Sequence, residues 1–309
     1  MEPMDVKEKI KDWAGELGFD RVRIAKAGRL DEEAEKLREW LDLGYHGEMK
    51  YMENHFEKRV DPGKLVPGAK SVIVLSYNYY TDKEPKDPQA PKVSIYAYGR
   101  DYHLVIRKKL NELMEKIKDH FIGAEGRGFV DSAPVMERDW AARSGLGWKG
   151  KHTLLIHPQR GSYFFLACLI TNLELEADAP IKDYCGTCTK CIDACPTDAI
   201  DSKGYLLDAR KCISYLTIEL KSEEIPGEFE GKMEDRMFGC DICQEVCPWN
   251  KFSEPHSEPA FEPHPDLLEM KRSDWEDLDS EKFNELFRKS AVKRTKFKGL
   301  KRNIDFLNQ

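Results

Sequence analysis

The stretch CGTCTKCIDACP, residues 185–196, places four cysteines in the spacing C-x2-C-x2-C-x3-C, and a proline follows the last of them. A second run, CDICQEVCP at residues 240–248, supplies three more cysteines in the spacing C-x2-C-x3-C. Thiolates this closely spaced are typical ligands of iron–sulfur clusters. We therefore predict that the segment spanning about residues 180–252 folds around metal.

The spacing of the first run is that of bacterial ferredoxins with two [4Fe–4S] clusters, in which three cysteines bind one cluster and the fourth binds the other. The second run lacks one member, which Cys212 supplies, because Cys168 lies in an apolar strand pattern and is interpreted as a small buried residue. The alternative is a pair of structural zinc sites, but a third cysteine two residues further on is a cluster feature. We predict one cluster on Cys185, Cys188, Cys191 and Cys247, and a second on Cys195, Cys212, Cys240 and Cys243.

Composition sets the class of protein and its location. The chain has 309 residues, of which 40% are hydrophobic and 34% are charged, as in an ordinary globular protein. The N-terminal residues lack the pattern of a secretory signal, and no apolar run approaches the ~20 residues that span a bilayer. We therefore expect a cytoplasmic protein without a membrane segment, where nine reduced cysteines serve as metal ligands.

Helical and strand patterns alternate ahead of the cysteines, which predicts an α/β layer architecture. The predicted helices cover residues 31–44, 103–121 and 135–144, and the predicted strands cover residues 21–25, 71–77, 128–131, 153–156 and 163–171. The fold class is thus α/β or α+β. We predict an N-terminal α/β domain over residues 1–175, a ferredoxin-like domain with two clusters over 176–252, and a C-terminal extension with two short helices over 253–309.

The net charge of −7 argues against non-specific binding of nucleic acid along the whole surface, but the average hides a division. Residues 254–281 contain ten acidic and two basic residues, whereas residues 288–302 contain eight basic residues and no acidic ones. A charged run is often only a solvated face. The alternative is that the basic run contacts phosphates.

Several segments beyond the cysteines carry a resemblance to one family. They are LGYHGEMKYM (43–52), FEKRVDPGKLVPGAKSVIVL (56–75), YGRDYH (98–103), FVDSAPVMERDWAARSGLGWKGKHTLLI (129–156), GSYFFL (161–166), CISYLTIEL (212–220) and FGCDICQEVCPWN (238–250). With these segments the chain resembles epoxyqueuosine reductase over nearly its whole length. Many members of that family continue into C-terminal helical repeats, and this chain ends at Gln309.

The resemblance implies a cobalamin-dependent oxidoreductase whose corrinoid lies in the N-terminal domain, close to one of the two clusters. It implies that epoxyqueuosine at wobble position 34 of a tRNA anticodon loop is reduced to queuosine with two electrons, two protons and release of water. An unidentified reductant supplies the electrons, and the chain is expected to act as a monomer. Cobalamin contacts are expected at Arg59, Ser94, Asp131, Lys151, His152, Thr153 and Ser214, and tRNA contacts at Lys293, Arg294, Lys301 and Arg302.

The proton donor of the family falls on Asp131 in FVDSAP. A second interpretation comes from its position just before a predicted helix start at residues 132–135, where an aspartate serves as an N-terminal cap. A cap has a lowered pKa, whereas an acid that works near neutral pH needs a raised one. The sequence leaves both interpretations open.

Two other functions compete with the family's reaction. The first is a reductive dehalogenase that shares the corrinoid and ferredoxin parts but usually carries a twin-arginine export signal, which this sequence lacks. The second is a non-catalytic iron–sulfur electron-transfer protein, for which the 175 residues ahead of the clusters are too many.

Overall fold

The structure is a computed structural model that describes residues 3–309. Its α-helices, in chain order, are α1 (Pro3–Glu16), α2 (Asp31–Asp42), α3 (Phe56–Val60), α4 (Tyr102–His120), α5 (Glu137–Arg143), α6 (Lys190–Asp193), α7 (Ile213–Ile218), α8 (Ile242–Glu245), α9 (Arg272–Glu276), α10 (Ser280–Leu286) and α11 (Lys296–Leu307). Its strands are β1 (Arg21–Lys26), β2 (Ser71–Asn78), β3 (Lys92–Val93), β4 (Gly126–Phe129), β5 (Trp148–Lys149), β6 (Leu155–Ile156), β7 (Phe164–Thr171) and β8 (Arg236–Phe238).

The largest sheet contains four strands in the order β1-β2-β7-β4. Each neighbouring pair in it is antiparallel. Of the two predicted fold classes, α/β and α+β, an antiparallel sheet is typical of α+β. Strand β2 lies in the centre and is buried from Ser71 to Tyr77, because its run of β-branched and apolar residues fits a sheet covered on both faces.

The period of two along β2 divides the core between the faces of the sheet. Ile73 and Leu75 point to one face, where they share a hydrophobic cluster with α1 and α4. Val72 and Val74 point to the other face, where they pack with α2 and α5 around the buried Trp140. Cys168 pairs with Val74 and is fully buried in this second cluster, as expected for a packing residue.

The C-terminal segment contains α9, α10 and α11, so the prediction of two short helices there was wrong. The extra helix is short, and its apolar residue Trp275 packs into a cluster with Phe283, Phe287 and Leu300. The same cluster includes Phe238 of β8, a strand that pairs in parallel with β3. Packing thus joins the C-terminal helices to both of the preceding segments, and the domain boundaries stay a prediction.

Among residues 3–309, no helix combines the length and the apolar character needed to cross a bilayer. The cytoplasmic location stays a prediction.

Candidate active site and metal centres

Four of the predicted cluster ligands line one cavity of about 330 Å³: Cys185, Cys188, Cys191 and Cys247. Helices α6 and α8, which carry or precede two of them, pack against each other. Burial raises the pKa of the Cys191 thiol to about 11, and the thiols of the other three add to this rise. The geometry therefore brings these cysteines together, although the two runs are about fifty residues apart in sequence.

The other four predicted ligands form a second group beside the first. Burial, and then the nearby thiol of Cys212, raises the pKa of Cys240 to about 12. Burial also raises the pKa of Cys212, with a further contribution from Cys195. Burial raises the pKa of Cys243 as well, and the thiols of Cys240, Cys212 and Cys191 add to the rise, so the two groups are neighbours. Two sets of four thiols fit the demands of two [4Fe–4S] clusters.

The residues that follow the β5 strand lie at the first cysteine group. Lys151 Nζ donates hydrogen bonds to the carbonyl oxygens of Gly186 and Cys188, at 2.8 and 2.9 Å. His152 lines the cavity together with the cysteines. Thr153 has a positive φ of 69°, and its carbonyl oxygen accepts a hydrogen bond from Arg138. Lys151 and His152 therefore line the pocket formed by the first cysteine group.

Asp131 lies in the segment between β4 and α5 with a positive φ of 45°. The interpretation of Asp131 as a helix cap was wrong, because α5 begins at Glu137 and its N-cap residue is Met136. The Asp131 carboxylate instead accepts a hydrogen bond from the hydroxyl of Tyr102. Its side chain is 63% exposed, which leaves the carboxylate accessible to a substrate.

Helix α4 supplies two side chains to Asp131 from its first turn. Asp101 caps this helix by accepting the backbone N–H of His103, and the rings of Tyr102 and His103 stack at 4.1 Å. The Tyr102 ring stacks on Phe165 at 4.0 Å, and burial raises its pKa well above 10, so its hydroxyl remains a donor. The Nε2 atom of His103 lies 3.7 Å from Asp131 Oδ2.

Glu137 is a site residue that the sequence did not reveal. Its Oε1 atom accepts the backbone N–H of Asp131 at 2.8 Å. Burial raises the pKa of Glu137 to about 8, and the Asp131 carboxylate contributes to the rise. The predicted start of the helix at residue 135 hid this contact, because it made Glu137 an ordinary residue of the first turn.

Three predicted cobalamin contacts occupy different environments. Arg59 is buried, donates from Nη2 to the carbonyl of Tyr51 at 2.9 Å, and leaves its Nε without a partner among residues 3–309. Ser94 is buried and donates its hydroxyl to Asp241 at 2.5 Å, which anchors the loop of the second cysteine run. Ser214 lies in the first turn of α7, directly after the ligand candidate Cys212 and Ile213.

Some side chains of the basic run form hydrogen bonds and ion pairs within the protein. The Arg302 guanidinium donates to the carbonyl oxygens of Leu216, Leu220 and Ser222, where it stabilises the C-terminal end of α7. Lys301 forms an ion pair with Asp305 at 3.1 Å.

Arg294, in the middle of the basic run, by contrast interacts with the charge of Asp131. Arg294 pairs with Glu219 at 2.8 Å and covers the ring of Tyr51 at 5.8 Å. Burial acts to lower the pKa of Arg294, but the hydrogen bond to Glu219 and nearby charges, that of Asp131 among them, raise it overall. Lys293 lies over the ring of Phe283 and contacts Asn284.

Two family models match the chain. One, described as "4Fe-4S double cluster binding domain", matches residues 184–250, and this match confirms the prediction of two [4Fe–4S] clusters. The other, described as "Epoxyqueuosine reductase QueG, DUF1730", matches residues 59–132.

Relatives match over nearly the full length. The epoxyqueuosine reductase of Leadbetterella byssophila is 57% identical and the match covers 99% of both chains. That of Escherichia coli is 42% identical over 95% of this chain and 79% of its own length.

Solved structures agree with these matches. A crystal structure of epoxyqueuosine reductase with an epoxyqueuosine-modified tRNA-Tyr stem loop has a TM-score of 0.87 and 33% identity, and the match covers 99% of this chain and 81% of the other. The Bacillus subtilis enzyme, 32% identical with a TM-score of 0.87, is described with its catalytic aspartate loop swung out of the active site; that match covers 99% of this chain and 82% of the other.

The double-cluster match together with the reductase-family match defines this protein as an iron–sulfur oxidoreductase. The identity and coverage of the relatives narrow the class further. The chain belongs to the epoxyqueuosine reductase family.

Proposed function

We propose that this protein reduces epoxyqueuosine at position 34 of tRNA to queuosine. The observation that carries the proposal is the Asp131 carboxylate, which is accessible and is held by the Tyr102 hydroxyl, in a chain that also carries two groups of four cysteines. The reaction consumes two electrons and two protons, and it converts the epoxide to an alkene with release of water. Cys185, Cys188, Cys191 and Cys247 would hold one cluster and Cys195, Cys212, Cys240 and Cys243 the other, and the bound clusters would supply single electrons.

Cobalamin is the second cofactor that we propose. Arg59 supports it, because a buried guanidinium that has no carboxylate partner among the described residues and an unpaired Nε fits an acceptor such as the phosphate or carboxamides of the cofactor. When bound and reduced, cobalamin supplies a strong cobalt nucleophile that can open an epoxide. Ser94, by contrast, is used by Asp241, and we assign it to holding the second cysteine loop.

Asp131 is the proposed general acid for the departing epoxide oxygen. Donation of a proton at this point prevents the build-up of an alkoxide charge. The Tyr102 hydroxyl holds the Asp131 carboxylate, and Glu137 holds the backbone of the same residue through the Asp131 N–H. In the Bacillus subtilis relative the catalytic aspartate loop is described as swung out of the active site. Burial raises the pKa of Glu137 to about 8, so near neutral pH its carboxyl places no full negative charge beside Asp131 while it accepts the Asp131 N–H.

The direct test of this function is nucleoside analysis of tRNA from cells that lack the gene. Accumulation of epoxyqueuosine, with recovery of queuosine when the gene is restored, is the expected result. Normal queuosine in the deletion strain would reject the proposed function.

We also propose that the protein acts as a monomer and receives its electrons from a separate reductant. Gel filtration tests the oligomeric state, and reduction assays test the reductant.

The raised pKa of Glu137 predicts a pH dependence. Burial raises this pKa to about 8, so Glu137 is neutral below that pH and ionised above it. We expect the single-turnover rate to fall above pH about 8, because an ionised Glu137 repels the Asp131 carboxylate and disturbs the loop that it holds through the Asp131 N–H. Glu137→Gln keeps an oxygen acceptor for this N–H but cannot ionise, so we expect it to lack the fall. Glu33→Gln, on α2, is the matched control and should leave the profile unchanged. Identical profiles for Glu137→Gln and wild type would contradict this role of Glu137.

The tRNA surface starts, in our proposal, at the part of the basic run whose Arg294 interacts with the charge of Asp131. We keep Lys293, Arg294 and Lys301 as phosphate contacts and assign Arg302 to stabilising α7. Bases in a single-stranded anticodon loop can be splayed into a pocket without opening a duplex. The stem loop in the related crystal structure supports a substrate of this type.

Neutralising Lys293 and Arg294 to Gln should weaken tRNA binding and reduce the slope of log Kd against log salt by roughly one for each phosphate that is no longer neutralised. The measurement is a titration of a tRNA stem loop at several salt concentrations. Neutralising Lys116 and Lys118, at the far end of α4, removes the same charge and should leave the slope unchanged. Equal slopes in both double variants would show that the basic run is a solvated face.

A further inference from the structure

His152 has one ring nitrogen that the protein satisfies and one that it does not. The ring is 3% exposed. Its Nδ1 atom accepts the backbone N–H of Leu154 at 3.1 Å. A backbone N–H can only donate, so Nδ1 carries the lone pair and the proton of the neutral ring lies on Nε2. His152 therefore presents an N–H donor at Nε2.

That donor has no acceptor among residues 3–309. Buried donors are nearly always paired in folded proteins, so an unpaired one calls for a missing partner. The His152 ring lines the cavity of about 330 Å³ that Cys185, Cys188, Cys191 and Cys247 also line. A cluster bound by those four thiolates would bring sulfur acceptors into the cavity that His152 lines.

A second donor shows that this pocket is built to bond sulfur. The indole Nε1–H of Trp148 donates to the Sγ atom of Cys185 at 3.5 Å. Trp148 lies in β5, just ahead of His152, and the same short segment carries Lys151, which holds the cysteine loop through its carbonyl oxygens. The segment thus surrounds one side of the pocket with donors.

We propose that His152 donates a hydrogen bond from Nε2 to a sulfur atom of the cluster on Cys185, Cys188, Cys191 and Cys247, and thereby raises its reduction potential. Reduction adds one negative charge to the cluster, and a donor stabilises the more negative state more strongly. His152 is then a positioning and tuning residue of the electron pathway and not a contact of cobalamin. The proposal rests on the ligand assignment under the proposed function.

Two substitutions separate the ring nitrogens. His152→Asn keeps an acceptor near the position of Nδ1 and removes the distant donor, whereas His152→Gln places an amide N–H near the position of Nε2. Redox titration followed by electron paramagnetic resonance measures the two cluster reductions without tRNA. We expect His152→Asn to lower the equilibrium constant of one reduction by about tenfold, equivalent to about 59 mV for one electron. His152→Gln should stay close to wild type, and the second reduction should be unchanged in both.

His157 provides the matched control. It is also buried, and its Nδ1 accepts the backbone N–H of Gln159 at 3.1 Å, but it does not line the cavity. His157→Asn should leave both reductions at their wild-type potentials. Unshifted potentials in a fully loaded His152→Asn protein, or equal shifts in His152→Asn and His152→Gln, would overturn the proposal.

A measurement on the unmodified sequence covers the case in which a variant loses its cluster. In reduced protein labelled with ¹⁵N-histidine, hyperfine spectroscopy should detect one ring nitrogen coupled to a cluster through a hydrogen bond. Absence of any coupled nitrogen would also reject the proposal. Iron analysis of the cysteine variants tests the ligand assignment separately, so failure of that assignment is distinguishable from failure of the hydrogen bond.

Discussion

Asp131→Asn is expected to lower the rate of epoxyqueuosine reduction by about 10²–10⁴ in a single turnover, which is the usual effect of removing a general acid. Asparagine matches aspartate in size, accepts the Tyr102 hydroxyl and tolerates the positive φ of 45° at this position, so the loop should keep its conformation. It cannot donate a carboxylic proton. The loss should therefore appear in the rate, while binding of cobalamin and tRNA stays close to wild type.

The measurement uses chemically reduced enzyme with cobalamin and iron content checked in parallel. Asp198→Asn is a matched control, because Asp198 also has a positive φ, of 50°, and is exposed without a contact to Tyr102 among the described residues. Its activity should be that of the wild type. A fully loaded Asp131→Asn protein that converts substrate at the wild-type rate would remove Asp131 from the mechanism.

The second large effect is expected for Cys191→Ala. Removing one thiolate from the first cysteine group should cost that cluster its stability and much of its iron, and turnover should fall below detection. Iron analysis should show a loss of about four of about eight irons per chain, with the visible absorption reduced in proportion. Retention of about eight irons together with full activity would contradict the ligand assignment.

Cys168→Ala is the control for loss of a buried thiol. Cys168 is fully buried in the sheet and lies outside both proposed groups of ligands, so its substitution leaves only a small cavity. We expect it to keep its iron and its activity and to lose a small part of its thermal stability. The comparison separates a ligand from a packing cysteine of similar burial.

The sequence by itself was sufficient for features that depend on local spacing. The cysteine runs identify their chemistry because the chelate geometry of a cluster requires thiolates two or three residues apart. The continuous apolar run along β2 predicted a buried strand, and the apolar period of α4 predicted a long amphipathic helix, because each pattern follows from the geometry and burial of its own element. The family resemblance added the proposal that Asp131 is the general acid.

Only the tertiary structure distinguished what the side chains of the site do. Asp131 was a possible helix cap until the fold placed α5 six residues further along and brought Tyr102 from another helix to the carboxylate. The role of Arg302 likewise depends on α7, which lies about eighty residues away in sequence.

Tertiary packing also determines the hydrogen bond from Asp131 to Glu137 and the unpaired Nε2 of His152, since no local sequence pattern predicts either of them. Spacing determines which atoms a segment can offer. Long-range packing determines which of those atoms meet, how deeply they are buried and therefore how they ionise and what they bond.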